Sequence, residues 1–199
     1  MDAGGKIGAL DKVLYALTPQ YAQDTSLHFS EAYVQIRAFS KSIWEEIFAK
    51  AALHAKKEGA DSFGQQLLAR REEIMIAVQE LEHAPETTYQ LVHFDLHPHN
   101  LLADGTRLLA ILDFDSIRHV EKMRAVAFAL HRMVRQYIVY TNPSDVPQAV
   151  TKAKKAFIDG YRSHYVLTGE EIATIPYFIK HESLSRLTNA MKEYAHTGN

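Results

Sequence analysis

The chain has 199 residues, 47% of them hydrophobic and 23% charged, a balance that supplies a sizeable core and excludes a disordered chain. Its 22 Lys and Arg against 24 Asp and Glu leave a formal net charge of −2, so no basic excess exists to grip a phosphate backbone, and nucleic acid is excluded as a main partner. Cys is absent, which removes disulfides, zinc-thiolate sites and Cys nucleophiles; with no membrane-length apolar run and no signal peptide, a cytoplasmic protein without a membrane partner is expected.

Ile7, Leu10, Leu14 and Leu17 recur at helical spacing, which predicts a helix over 7–17 and then a loop around 18–27. From Ser30 to about Lys57 apolar positions recur among charges on a helical period, and Glu58-Gly59-Ala60 ends that helix, because Gly stops a helix at little cost. Asp61 or Ser62 then caps a second long helix through Leu67, Leu68, Ile74, Ile76, Val78 and Leu81. After a turn at 83–88 comes the short β-prone run Tyr89 to Phe94. Two more apolar runs, Leu101 to Ala103 and Leu108 to Leu112, are joined through Asp104-Gly105, a hairpin signal because both residues tolerate positive φ. Helices over 120–140, 145–165 and 168 to about 195 complete the chain, punctuated by Asn142-Pro143 and Leu167-Thr168-Gly169. The expected fold is mainly α with a small β-hairpin element (α+β), one domain over 1–199: helical over 1–87, loop and hairpin over 88–116, helical bundle over 117–199.

The densest polar cluster is His93-Phe94-Asp95-Leu96-His97-Pro98-His99-Asn100, set between two apolar runs, and a second follows at Asp113-Phe114-Asp115. Carboxylates and amides at the ends of short strands are unusual, because strands favour side chains that pack. The hairpin folds the clusters back on one another, with Asn100 opening its first strand and Asp113 closing its second. Their two oxygen-bearing side chains can therefore face one hard cation, with Asp95 one short loop away. Oxygen donors without thiolates favour Mg²⁺ over zinc. An Asp at the end of a buried apolar strand is costly without a partner, which favours a functional role for Asp113.

The run His-x-Asp-x-x-x-x-Asn, then a hairpin, then Asp-Phe-x, resembles the catalytic loop and metal-binding segment of the protein-kinase-like fold. The fuller pattern, from His93 to Asn100 with Ile111-Leu112-Asp113-Phe114-Asp115, is most similar to the aminoglycoside phosphotransferase family, which includes choline-kinase-like and homoserine-kinase-like enzymes. The resemblance implies transfer of the ATP γ-phosphate to a hydroxyl of a small molecule, dependent on Mg²⁺, with a non-catalytic remnant or binding module on the same scaffold as the alternative. It implies Asp95 as the catalytic base or hydroxyl-orienting carboxylate, Asn100 and Asp113 as metal ligands with Asp115 a weaker candidate, and Leu102 and Leu112 as apolar contacts beneath the adenine. It covers the carboxy-terminal lobe alone: no nucleotide-covering loop or Val-Ala-x-Lys-like strand is found, so the amino-terminal nucleotide lobe is expected to be absent. The sequence departs from the pattern at Ala125, where the family commonly has an Asp bracing the catalytic loop, and at Phe94 and His99, where it often has Gly.

Other polar residues read as structural. His93 and His97 are expected to pack and hydrogen-bond the loop backbone, and His99 to be exposed. His93, Asp95 and His97 alternate in the manner of strand ligands of a metal-dependent hydrolase, but that reading leaves Asn100 with Asp113 unexplained. Tyr137, Tyr140, Tyr161 and Tyr165 read as packing rather than a substrate cleft. Without the missing lobe, apolar surface near Leu102 and Leu112 is expected to be exposed and to promote some self-association.

Overall fold

A computed structural model describes residues 2–29, 41–56, 62–105 and 107–197. Helix α1 spans Ala3–Tyr21, and the Asp2 side chain caps it by accepting the Gly5 N–H at 2.7 Å. The helix thus runs past the expected end at residue 17, with Pro19 inside it and Thr18 Oγ1 donating to Leu14 O at 3.0 Å. Of the expected loop, Thr25–Leu27 forms a 3-10 turn whose cap is Asp24.

Helix α2 spans Lys41–Ala55; the rest of the helix expected from Ser30, the Gly59 break and the Asp61 cap lie outside the described residues. Ser62 caps α3, Phe63–Ala69, and α4 follows at Arg71–Glu80. One long helix was the expectation; the chain instead breaks at Arg70, whose φ −100° and ψ 12° leave the helical region. The Arg70 N–H closes α3 on Leu67 O, and Arg70 O opens α4 by accepting from Ile74. Leu67, Ile74, Val78 and Leu81 are all buried across this break.

Strand β1, Tyr89–His93, is followed by a 3-10 turn at Pro98–Asn100, then by β2, Leu101–Asp104, and β3, Arg107–Ile111. Strands β2 and β3 pair antiparallel from Leu101↔Ile111 to Asp104↔Arg107, with a bulge between Leu102 and Ala103. Gly105 turns between them at φ +54°, the left-handed region that glycine enters without steric cost. The sequence reading missed β4, Ile117–Glu121, which pairs antiparallel with β1 from Tyr89↔Glu121 to His93↔Ile117. It lies where the chain was expected to turn straight into a helix, and its backbone groups are instead satisfied by the β1 ladder. The result is a mainly helical chain with two small antiparallel two-stranded sheets.

Helix α5, Lys122–Thr141, starts two residues later than expected and ends on Asn142 at φ 42°. Helix α6, Val146–Arg162, starts from Asp145, whose side chain accepts the Gln148 N–H at 2.9 Å. Helix α7, Gly169–Thr197, opens with a reciprocal capping box: Thr168 Oγ1 accepts from Glu171 N at 3.1 Å, and Glu171 Oε2 accepts from Thr168 N at 2.9 Å. Among the described residues no helix is long and apolar enough to cross a membrane.

The chain divides into two compact units, Met1–Phe29 with Glu86–Ile179, and Ser30–Pro85 with Lys180–Asn199. The first is built around α5, whose Met123, Val126, Ala127, Ala129 and Leu130 are fully buried with Ile7 of α1, Leu96, and Phe157 and Tyr161 of α6. Helices α1 and α6 approach closely: a Cβ on Gly4 would collide with the Phe157 carbonyl, and one on Gly8 with that of Tyr161. In the second unit Trp44, Phe48 and Ala51 of α2 are buried, the Trp44 and Phe48 rings meet at a tilt with centroids 5.6 Å apart, and Phe63 meets Tyr194 edge-on at 5.5 Å.

Candidate functional site

Both polar clusters lie in the first unit, where β1, the 3-10 turn and the hairpin dictate their placement. Asp95 follows β1 in a turn anchored on either side. Leu96 is 1% exposed in the core, and the Phe94 ring stacks on Phe128 and meets Phe29 edge-on at 4.9 Å. Phe94 N donates to Ser116 O at 3.0 Å, which ties the turn to the segment just after Asp113. Pro98 then starts the 3-10 turn that carries Asn100.

Asn100 is the joint of the arrangement. Its Nδ2 donates to Asp95 O at 2.8 Å, and its own carbonyl accepts from Leu112 N at 2.9 Å, one residue beyond the β2–β3 ladder. Asp95, Asn100 and the residue before Asp113 are thereby joined at one end of the hairpin. With its amide nitrogen committed, Asn100 Oδ1 is left as the atom able to ligate a cation. Asn100 closes the 3-10 turn rather than opening β2, and β3 stops at Ile111, so Asn100 and Asp113 stand just outside the strands expected to carry them.

Asp113 adopts φ 65° and ψ 54°, the left-handed conformation that Asp tolerates better than most residues, and it is exposed, with no side-chain capping bond. The expectation of a carboxylate at the end of a buried strand is therefore corrected; local backbone conformation, not burial, sets Asp113 apart. Such strain costs about 1–3 kcal/mol and persists only where the surroundings enforce it. Here the fully buried His93 does so: its Nε2 donates to the carbonyl of Leu112 at 2.8 Å, and its ring meets Phe114 edge-on at 5.6 Å. His93 thus packs and bonds the loop, as expected. Asp115 is exposed, and its backbone carbonyl accepts from Arg118 Nη1 at 2.8 Å.

Leu102 and Leu112 present 51% and 44% of their surface, beside the half-exposed Leu109 and Phe114. Ala125 is buried against Val92 and Val120, with Phe94 packed on the same cluster, so the position is apolar. Tyr137 and Tyr140 line a cavity of about 840 Å³ with Pro98, Leu101, Met133 and Phe157, whereas Tyr161 is wholly buried. Among the described residues no group of three or more His, Asp or Glu side chains converges as a metal-binding cluster, which removes support from the alternating His93, Asp95, His97 arrangement. Donors for a cation here are the Asn100 amide oxygen and carboxylates, the oxygen set that suits Mg²⁺.

The sequence reading missed a buried polar network in the same unit. Asp11 of α1 is 2% exposed, and its Oδ2 accepts from the Tyr161 hydroxyl at 2.7 Å. Burial pushes its carboxyl up to about 7 against the opposing pull of the Tyr161 bond and the Lys122 charge. Tyr161 is itself raised, by burial and by Asp11. Gln90 of β1, fully buried, donates to Asp11 O at 3.4 Å and accepts from the Tyr165 hydroxyl at 3.0 Å. Lys122, 4% exposed, pairs with Glu171, donates to Val166 O at 3.2 Å and lies 5.2 Å from the centre of the Tyr165 ring. Burial pushes the Tyr165 hydroxyl up to about 12. One signal was available: Asp11 continues the apolar face of Ile7, Leu10 and Leu14, where a carboxylate has no reason to sit without a partner.

No curated protein is matched by the chain. A family profile, the phosphotransferase enzyme family (APH), matches residues 30–119, a stretch that contains β1, the loop with Asp95 and Asn100, the hairpin, Asp113 and Asp115. That match and the motif in the loop agree, and residues 30–119 carry an APH phosphotransferase family domain.

Proposed function

We propose that this chain supplies the carboxy-terminal lobe of a protein-kinase-like phosphotransferase, which moves the γ-phosphoryl group of ATP to a hydroxyl of a small molecule. The observation that supports the reading is the pair of bonds at Asn100, to Asp95 O and from Leu112 N, which tie the backbone of Asp95 to the segment leading into Asp113. Asp95 takes the proton as the alcohol oxygen attacks the γ-phosphorus, the bond from that phosphorus to the bridging oxygen breaks, and ADP leaves. Its carboxylate, 43% exposed, is accessible to an incoming alcohol. Asn100 Oδ1 and the Asp113 carboxylate would hold Mg²⁺, with Asp115 a weaker third donor. When bound, that ion neutralises phosphate charge. The protein's own share is positioning: the strained Asp113 backbone and the His93 bond hold the donors without a rearrangement at the moment of transfer.

Leu102 and Leu112 offer exposed apolar surface for the adenine, and with no nucleotide over it the same surface promotes self-association of a cytoplasmic protein. A concentration-dependent sedimentation coefficient that ATP with Mg²⁺ reduces is the expected result; a monomer at every concentration refutes it.

The deciding test measures phosphoryl transfer from Mg·ATP to a panel of small alcohols, together with ATP binding by calorimetry. Turnover that Asp95→Asn lowers at least a hundredfold, with an unchanged melting temperature, supports the reading. Turnover retained in that variant sinks it. Absence of ATP binding favours the alternative, a non-catalytic module on the same scaffold, which the apolar packing of Ala125 independently supports.

A further inference from the structure

Resting on the reading of Asp95 above, we propose that His97 is a positioning residue for the Asp95 carboxylate, locked by its own backbone as the Nε2–H tautomer. His93 and His97, four residues apart, use the same local device. Each ring accepts at Nδ1 the backbone N–H two residues further on, Asp95 N at 3.4 Å for His93 and His99 N at 3.3 Å for His97. A ring nitrogen that accepts carries no proton, so in the neutral imidazole the proton resides on Nε2.

The two Nε2–H groups have different targets. That of His93 goes to Leu112 O at 2.8 Å and fixes the backbone before Asp113. His97 Nε2 lies 3.4 Å from Asp95 Oδ2, an ion-pair distance rather than a formed hydrogen bond, with the His97 side chain only 16% exposed. The loop thus devotes one imidazole to the backbone and a second to the reacting carboxylate. A donor on Oδ2 restrains the rotation of the carboxylate and leaves Oδ1 to meet the hydroxyl. Contacts of this length in a ligand-free site tighten in the reactive complex.

Neighbouring residues supply the lock. Pro98, first in the 3-10 turn, sets the backbone so that the His99 N–H returns to the His97 ring. The donor is main chain, and the His99 ring itself meets the His97 ring edge-on at 5.3 Å. His97 touches Asp95, not substrate or nucleotide, and acts through it. With Nε2 beside Asp95 and Nδ1 accepting from His99 N, the neutral ring has its one unprotonated nitrogen already occupied and does not serve as a second base.

The test has a spectroscopic arm that needs no turnover. In the chain labelled with ¹⁵N-histidine and held at pH 8, the His97 resonances are those lost in His97→Gln. They are expected to show an imine-type Nδ1 and a protonated Nε2, as for His93. Asp95→Asn is expected to move the His97 Nε2 signal and leave that of His93 in place. An Nδ1–H tautomer at His97, or an Nε2 signal indifferent to Asp95→Asn, overturns the proposal. In the kinetic arm, with Mg·ATP, His97→Gln retains an N–H donor and is expected to keep kcat within about threefold, while His97→Leu loses roughly tenfold to a hundredfold with KM for ATP unchanged. Equal losses in the two variants also overturn it. If no variant, nor the parent, turns over ATP, the phosphotransferase reading fails, while the ring spectra still decide whether His97 holds Asp95.

Discussion

The first unit contains two polar clusters built on opposite principles. Around Asp11 the polar groups are partnered and mostly withdrawn from solvent: buried Tyr161, Gln90 and Lys122 and half-buried Tyr165 and Glu171 answer one another by side-chain bonds and charge. At the hairpin end, Asp113 and Asp115 are exposed, and Asp95, Asn100 and Asp113 are held chiefly through main-chain atoms. Satisfied burial fixes a fold, because an unpaired group in low dielectric is costly. Exposed carboxylates on a rigid, locally strained backbone stabilise little and stay available to a ligand. The first cluster orders helices α1, α5, α6 and α7 about β1, and the second uses the frame so formed. Function and stability should therefore separate cleanly between them under mutation.

The largest effect that separates them is Asp95→Asn: phosphoryl transfer falls at least a hundredfold while thermal unfolding is unchanged. A comparable fall in melting temperature would show that the exposed cluster is structural after all.

Next in size is the pH dependence of the Asp11 cluster. Burial raises the folded carboxyl to about 7 from its ordinary 3.8, so between those values the folded chain keeps a proton that the unfolded chain has lost. Unfolding then releases a proton, and stability falls as pH rises through this window and levels off above it, by about 4 kcal/mol in all. Asp11→Asn keeps an oxygen for the Tyr161 hydroxyl and never ionises. It is expected to flatten the profile in urea titrations between pH 4 and 8 and to be the more stable chain at pH 8. A variant whose slope across that window matches the parent's would refute the assignment. Transfer activity, corrected for folded fraction, should not follow Asp11, because the bonds that hold the hairpin end run among His93, Asp95, Asn100 and Leu112.

Packing without polarity gives a third contrast. Gly8 lies against the Tyr161 carbonyl, so Gly8→Val forces α1 from α6 and is expected to cost about 1–3 kcal/mol in chemical denaturation. Its penalty should be nearly independent of pH from 4 to 8, unlike that of the neighbouring Asp11. A strongly pH-dependent loss would mean that displacement of α1 acts through the carboxyl rather than through overlap.

How much of this was legible in the sequence depends on the range of the interaction. The hairpin, the break at Leu167-Thr168-Gly169, Ser62 as one of two cap candidates and the spacing of Asp95, Asn100 and Asp113 are local, set within a few residues by turn and capping chemistry, and they read directly. Strand β4 did not, because it exists by pairing with β1 at sequence separations from 24, at His93 with Ile117, to 32, at Tyr89 with Glu121. Local propensity does not report that pairing. The break at Arg70 is likewise invisible to a periodicity that continues through it. The partners of Asp11 at 90, 122 and 161 are brought to it only by the packed fold, although its own place on an apolar helix face was a signal.

The smallest expected effect tests the hairpin cluster from within. Asp113 and Asp115 are both exposed, and composition alone treats them as equals. Their surroundings differ. Asp113 is held in the left-handed conformation, next to the Leu112 carbonyl that His93 fixes, on the segment bonded to Asn100. The structural tie of Asp115 is instead through its backbone carbonyl to Arg118, a bond that survives replacement of its side chain. Asp113→Asn should therefore raise the Mg²⁺ concentration needed for half-maximal transfer by roughly tenfold, as loss of a charged ligand does, while Asp115→Asn shifts it by less than about twofold. Were the two variants to shift the Mg²⁺ requirement equally, the distinction drawn from backbone restraint would fail. Asp115 would then have to be counted as a ligand on the same footing as Asp113.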